Sequence, residues 1–598
     1  MERSSVLRWG VIAIVICVFY FFIWPALSGS KDKPQSAVLG SAETYASAPG
    51  FAPDVLDPPV VPGVNNPPPP EGELCKIQGN RFEAVLSARG AALMHLTPTD
   101  RQYADVDPHA ERRPLSSTPD HERWRSLRTL FRGGDANSQV KYDRFNWKLE
   151  PSQDTKSCKF TYEDEDVRIV KTVSASLRPF EMNVETQLTN LASEPKRHQL
   201  TIGAYAFRKN EDMKGSLGRQ APLQTELTCA VGKEVARKTK DDFKSGWFTT
   251  AGIDRFAAVN THYFTQAIVP QPGEGTVSEA PTCALLAEDW NGDSTVFHSK
   301  LVYPARELAP HASATYREAA FFGPKVREEL THAAGGQPKL IDVINLGFFT
   351  PVANVLVKIL DYIHDHITFG NWGLAIIVMT IGLRSMLFPL TYKSIKTTIA
   401  MRRLKPEVDS LNAKFKDDAQ AKNLAMMELW KKHGVNPFGG CLPQLVQMPV
   451  WFAMYTTLQT ATEMYHEKFL WFTDLSAPDQ LFKITDSIQF GPLPLLLGVF
   501  MIVQQRIVPQ QGMDPMQQKM MMYMLPAVFT VMMLFLPAAL GVYMLTNSIL
   551  GIVQQLAVER IAPRNTSKEI VVTQKGSTGP GGKKGDKGSK PSAKAAAS

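Results

Sequence analysis

The sequence predicts a multi-domain chain: a polytopic α-helical membrane core of six transmembrane helices, joined to an exported all-β sandwich domain. Three observations predict it. Six apolar runs, Gly10–Leu27, Trp372–Leu390, Leu442–Leu458, Pro492–Val508, Met520–Leu536 and Ala538–Leu556, each approach the roughly 17–25 residues that cross hydrocarbon as a helix. Five of them follow residue 370, and the stretch from Ser28 to Leu340 contains none. Inside that stretch, Phe180, Met182 and Val184 alternate with Glu181, Asn183 and Glu185, and Leu200, Ile202, Ala204 and Ala206 keep the same period of two, the pattern of half-buried strands. A chain of 598 residues is too long for one ordinary domain, and its 44% hydrophobic content averages over these unlike parts.

Residues 1–28 read as an N-terminal transmembrane anchor. Arg3 and Arg8 before an apolar run also describe a secretory signal, and Ala26-Leu27-Ser28 offers a small-residue cleavage site. Against cleavage, Phe19, Tyr20, Phe21, Phe22 and Trp24 crowd the end of a run long enough to span. Either way, the region that follows is exported. Residues 29–72 are rich in Pro, Ala, Ser and Gly and end in NNPPPPEG; such a composition buries no core and forms an extended tether.

Residues 73–335 are the sandwich. Its acidic run Glu163-Asp164-Glu165-Asp166 is expected to be a solvated loop. Asp289-Trp290-Asn291-Gly292-Asp293 resembles half a calcium loop but lacks the later bidentate Glu, so a turn is expected. Cys75, Cys158, Cys229 and Cys283 lie in this exported part, where disulfides form, and their three connectivities stay open. Residues 336–370 carry an amphipathic helix, with Val352, Val355, Leu356, Ile359, Leu360, Ile363 and Ile367 on one face and Asn354, Lys358, Asp361 and Asp365 on the other. Pro351 suits its first turn, and the helix is expected to lie in the outer interface of the bilayer. His364 and His366 flank Asp365 but point apart at this spacing, which argues against a metal site.

The membrane core then reads as spans over 371–391, 440–462, 492–508, 520–537 and 538–558, with connections at 392–439, 463–491 and 509–519 and a tail at 559–598. The 392–439 connection has helical composition, with Leu404, Val408, Leu411 and Phe415 at helical spacing, then Leu424, Met427, Leu429 and Trp430, and Asp417-Asp418 between as a turn or cap: a helical hairpin. It holds ten Lys and Arg, the tail holds nine, and the 463–491 loop has only Lys468 and Lys483 against five acids. The hairpin and both termini are therefore expected in the cytoplasm. The net charge of +7 is mostly this asymmetry.

The chemistry of the core centres on Arg384, a guanidinium inside WGLAIIVMTIGLRSMLFPL. At bilayer depth it costs at least about 2.5–3.5 kcal/mol, a penalty accepted where the charge faces water, a partner or a substrate path. No Asp or Glu lies within the six runs. An ion-coupled carrier needs intramembrane carboxylates or histidines, so a pump is disfavoured, and an unpaired arginine implies a water-filled concavity or an anionic visitor. Thr380 lies one turn earlier on the same face, and Gln447, Gln504, Gln505, Tyr543, Thr546, Asn547, Gln554 and Gln555 add polar positions in other spans. No Walker-type GxxxxGK[ST] sequence is present, so no nucleotide is expected to drive the process, and neither cofactor nor metal is expected.

Several segments carry a family resemblance. Asn436 to Pro449 (NPFGGCLPQLVQMP) resembles the signature that opens the third span of the YidC family of bacterial membrane-protein insertases, relatives of mitochondrial and chloroplast insertases. Thr380 through Pro389-Leu390-Thr391 resembles the family's second span; Asp514-Pro515-Met516-Gln517-Gln518-Lys519 and Tyr543, Asn547, Gln554 and Gln555 resemble its last two. Phe256–Pro270 and Phe321-Phe322-Gly323-Pro324-Lys325 are similar to its periplasmic domain. The resemblance implies a chain of the bacterial inner membrane that is not an enzyme. It implies a periplasmic β-super-sandwich of sugar-mutarotase type, and a hydrophilic groove open to the cytoplasm and to lipid, lined by Arg384, Thr380, Tyr543, Gln447 and Asn547. The implied activity is insertion and chaperoning of nascent membrane proteins, alone or with the Sec translocon, with the ribosome met by the cytoplasmic hairpin and the basic tail. The rival readings are a polytopic channel or transporter with an exported sensor domain, and a membrane-anchored carbohydrate-active enzyme.

Overall fold

The computed structural model describes residues 72–561 apart from 104–123, 134–141, 144, 152–153, 214–223, 245, 348, 416–417, 436–441, 484–488 and 508–514. The N-terminal anchor, the tether, the tail beyond 561 and the first six residues of the Asn436–Pro449 segment lie outside the described residues.

The exported part is built from three antiparallel sheets sharing one core. The nine-stranded sheet runs, in spatial order, Glu234–Lys238, Glu226–Val231, Phe256–Asn260, Phe264–Pro270, Ser313–Pro324, Glu181–Asn190, Val167–Ala175, Ser157–Glu163 and Lys148–Glu150. A six-stranded sheet is centred on the long strands Thr282–Trp290, Ser294–Val302 and Lys196–Lys209, and a three-stranded sheet comprises Leu74–Gly79, Phe82–Ser87 and Ala92–Pro98. Interior side chains, among them Ile77, Phe160, Met182, Val184, Phe256, Phe297, Phe321 and Phe322, are removed from water and supply the main stabilising term.

Two sequence expectations are modified by this packing. Glu181 was expected to face solvent and is buried: Ser176 Oγ and Arg178 donate to its Oε1 at 2.9 and 3.1 Å, and the Ala334 N–H donates to Oε2 at 2.7 Å. Lys196–Lys209 does not alternate, because it lies inside its sheet and every residue from His198 to Ala206 is buried. The acidic run is the solvated turn expected, with the Asp166 and Val167 N–H groups donating to Asp164 Oδ1 at 2.9 and 2.8 Å. Residues 291–293 form a hairpin turn in which Asn291 and Gly292 adopt positive φ. The cysteines pair as Cys75–Cys158 and Cys229–Cys283. The first links the three- and nine-stranded sheets, the second the nine- and six-stranded sheets.

The helices follow: α1 (Arg327–His332), α2 (Thr350–His366), α3 (Trp372–Met386), α4 (Phe388–Arg403), α5 (Lys405–Lys414), α6 (Ala419–Lys432), α7 (Leu442–Thr460), α8 (Pro492–Ile507), α9 (Pro515–Met533) and α10 (Ala538–Ile561). The apolar face expected for α2 is divided. Leu356, Leu360 and Ile363 pack into the helical core beside α3 and α7, whereas Val355 and Ile359 are exposed with Tyr362. His364 stacks on Trp372, and His366 Nδ1 lies 3.2 Å from the Tyr362 carbonyl oxygen, so the two histidines serve different neighbours. Helices α5 and α6 pair through Val408, Met426 and Leu429, and Asp418 caps α6 by accepting from the Gln420 and Ala421 N–H groups.

The span expected over 371–391 is broken. Leu387 ends α3 and starts α4 at a bend of 64°, because Pro389 has no N–H to continue the ladder and its ring obstructs the preceding turn. By length and composition, α10 is the one described helix able to cross a membrane by itself; α3 with α4 qualifies as a bent pair. Apolar but shorter, α8 has 16 residues, a rise of about 24 Å against a hydrocarbon layer of roughly 30 Å.

Between Thr460 and α8 a loop ties the two halves together. The Ala538 and Ala539 N–H groups donate to the carbonyls of Ala477 and Leu475 at 2.7 and 2.9 Å, and the Leu493 N–H donates to Asp479 at 2.9 Å. On the loop's other side, the Arg327 N–H donates to Glu463 Oε1 at 3.0 Å, and Tyr465 packs among Tyr103, Tyr263 and Phe264 of the sandwich.

Candidate functional site

Arg384 lies in the last turn of α3, where the helix has already left the packed interior; Ile381, Gly382 and Ser385 beside it are exposed. Its partners come from α10, which packs along α3. Arg384 Nε donates to Asn547 Oδ1 at 2.6 Å, one Nη donates to the Asn547 backbone carbonyl at 2.9 Å, and the other reaches Gln554 Oε1 at 3.5 Å. Gln554 Nε2 returns a bond to the Arg384 carbonyl at 3.3 Å, and Gln447 Nε2 of α7 donates to the same Asn547 Oδ1 at 3.2 Å. Gly551, one turn beyond Asn547, leaves the room: a Cβ there would lie 2.9 Å from Gln504 Nε2 of α8 and 3.3 Å from the Arg384 guanidinium.

The guanidinium is thus held by amide and carbonyl oxygens. Among the described residues Arg384 forms no ion pair, and the one carboxylate on α3, α7, α8, α9 and α10 is Glu559, which sits 3.1 Å from Arg402 and accepts from Gln555 at 2.7 Å. A half-buried cation without a carboxylate keeps its full charge for whatever enters.

The surroundings are asymmetric along α10. From Ala538 to Met544 every residue is buried, packed with Leu493, Leu497, Met533 and Leu536; further along, Asn547 and Gln554 are half-exposed, while Ser548 between them stays buried. Close backbone approach makes this packing, since a Cβ on Gly541 would meet Leu493 Cδ2 at 2.4 Å. The packing of α10 against its neighbours is thus apolar and buried at the Ala538 end and polar and partly exposed around Asn547 and Gln554.

Of the residues singled out in the sequence, Arg384, Gln447 and Asn547 come together. Thr380 does not join them: it is buried, and its hydroxyl donates back to the Ile376 carbonyl at 2.6 Å, a helix-internal bond. Tyr543 lies one turn before Asn547, inside the buried end. Gln554, a polar position of the family-like pattern but not one of the expected groove residues, is a direct partner of Arg384; its spacing of seven from Asn547 puts both on one face of α10.

Two family models together match most of the chain. Residues 74–359 match the family model for the YidC periplasmic domain, and residues 363–565 match that of the 60Kd inner membrane protein. The chain is 32% identical over 577 residues to the membrane protein insertase YidC of Anaeromyxobacter dehalogenans, covering 92% of this chain and 97% of that one. It is 43% identical over 302 residues to the YidC insertase of Pelobacter propionicus, covering 50% and 53%. Among solved structures, an active YidC insertase aligns over 82% of this chain and 94% of that chain at 17% identity and a TM-score of 0.33. A galactose mutarotase-like protein of Lactobacillus casei aligns over 42% and 100% at 12% identity and a TM-score of 0.31.

Proposed function

The chain belongs to the YidC family of membrane protein insertases, which are inner-membrane proteins and not enzymes, and we propose that it inserts nascent membrane proteins through the concavity around Arg384 and assists their folding. The observation that supports this mechanism is the guanidinium held by neutral oxygens at the polar, partly exposed end of a core that is buried at its other end.

A nascent segment arrives from the cytoplasmic side with a short polar or acidic flank. Hydration of the concavity shortens the water-free distance that the flank crosses, and Arg384 attracts it transiently. The apolar part slides along α3 and α10 into lipid, and its partition supplies the driving force at about 25 cal/mol per Å² of apolar surface. The site lowers a barrier and needs neither cofactor nor nucleotide.

In this reading six transmembrane helices carry the core, with both termini in the cytoplasm, the sandwich in the periplasm and α2 in the outer interface, its exposed Val355, Ile359 and Tyr362 facing lipid. The basic α5–α6 hairpin and tail meet the ribosome, and the chain works alone or beside the Sec translocon. The test is insertion of a short membrane protein with an acidic translocated end, in cells depleted of the native copy, with Arg384→Ala and Arg384→Lys compared to wild type. Failure of Ala with retention by Lys supports a required positive charge; normal insertion by Ala refutes the electrostatic role.

A further inference from the structure

We infer that Asn547 sets the specificity of this site: it orients the Arg384 guanidinium while withholding the negative charge that would neutralise it, and so leaves the cation available to a client carboxylate. This rests on the insertase reading given above and adds a second residue to it.

The geometry separates the two properties. Asn547 Oδ1 accepts from Arg384 Nε at 2.6 Å and from Gln447 Nε2 at 3.2 Å, which uses both of its lone pairs. An aspartate in this place has nearly the same shape and accepts both bonds equally well. What distinguishes the amide is neutrality, because a carboxylate 2.6 Å from Nε forms a charge-assisted pair and cancels the field of the guanidinium. Orientation is also secured from the backbone, since the Asn547 carbonyl accepts from an Nη at 2.9 Å. The remaining near oxygen, Gln554 Oε1 at 3.5 Å, is again an amide.

Donor capacity remains. Of the five N–H groups of a guanidinium, three are engaged among the described residues, by Asn547 twice and Gln554 once, which leaves two for an incoming oxygen pair. The carboxylate on α10, Glu559, is twelve residues and about 18 Å further along the helix, bound to Arg402. The four helices around the arginine therefore combine amides near it with an acid kept away from it. That distribution favours a visitor bringing its own carboxylate over one that is neutral.

The experiment uses the full-length chain in cells depleted of the native copy, with two clients that differ only in whether the translocated flank carries an acid or the corresponding amide. Wild type, Asn547→Asp, Asn547→Ala and Arg384→Ala are compared, and the quantity read is the ratio of acidic-client to neutral-client insertion. Asn547→Asp is expected to lower that ratio at least about tenfold, the scale of one lost charge-assisted hydrogen bond. Asn547→Ala, which removes the side-chain acceptor but adds no charge, is expected to lower it about threefold or less, because the backbone carbonyl still holds the arginine. A merely structural role would depress both clients together and leave the ratio unchanged, which would overturn the inference. If Arg384→Ala collapses the ratio and Asn547→Asp does not, Asn547 has no such role although the arginine mechanism stands. If Arg384→Ala leaves the ratio intact, the mechanism itself fails. Should Asn547→Asp not accumulate, Gln447→Glu brings a carboxylate to the same cluster from α7 and must lower the ratio likewise.

Discussion

Replacing Cys229 and Cys283 together by alanine removes the covalent link between the nine- and six-stranded sheets of the exported domain. The bridge closes a sequence separation of 54 residues, and restricting an unfolded loop of that length is worth about 4 kcal/mol in the chain-entropy account. Both half-cystines are fully buried, so losing the sulfurs also leaves a small void, adding on the order of 1 kcal/mol. For a domain of this size each kcal/mol moves the melting midpoint by about 2–4 °C, so the double variant should melt roughly 10–20 °C below wild type. The assay is thermal unfolding of the purified full-length protein in detergent, read by protease cleavage within the sandwich. The Cys75–Cys158 bridge, with a separation of 83 residues, joins different sheets over a non-overlapping loop, so its removal should add a comparable loss. A shift below about 3 °C for Cys229→Ala/Cys283→Ala would show that packing alone holds the sheets together and refute the reasoning.

Glu318 offers a pH-dependent counterpart. It is buried, with Tyr303 donating to Oε1 at 2.8 Å, and burial pushes its carboxyl up to about 7. The folded state holds this proton where the unfolded state has released it, so its contribution to stability is present below the ordinary value of 4.5 and is lost as pH rises through about 7. Glu318→Gln should remove that dependence, gaining on wild type by up to on the order of 3 kcal/mol between pH 4.5 and pH 8, as read by hydrogen exchange of strand Ser313–Pro324 in the full-length protein; parallel pH profiles would contradict it. In the helical core, Gly541→Ala should cost about 1–3 kcal/mol by overpacking, since the new Cβ meets Leu493 Cδ2 at 2.4 Å. An unchanged melting midpoint in detergent would mean that α8 and α10 can separate freely.

The sequence by itself determined what depends on local pattern: the existence of apolar helices, the period-two strands, the Asp418 cap of α6, and Arg384 as a charge out of place in an apolar run. Each is a one-residue or one-turn property, and the cost of an unsolvated guanidinium marks its position whatever the fold. Tertiary structure decided which distant residues meet. Asn547 lies 163 residues from Arg384 and Gln447 100 from Asn547, and only the packing of α3, α7 and α10 brings those atoms to one point. Four cysteines allow three pairings until the sheets are stacked. Thr380 shared a helical face with Arg384 and was expected beside it, yet α3 is buried at Thr380 and half-exposed at Arg384, so the same face meets core at one turn and the amides of α10 at the next. Periodicity records how side chains repeat along one element; burial and partnership depend on what the other elements leave uncovered, which no single stretch of chain contains.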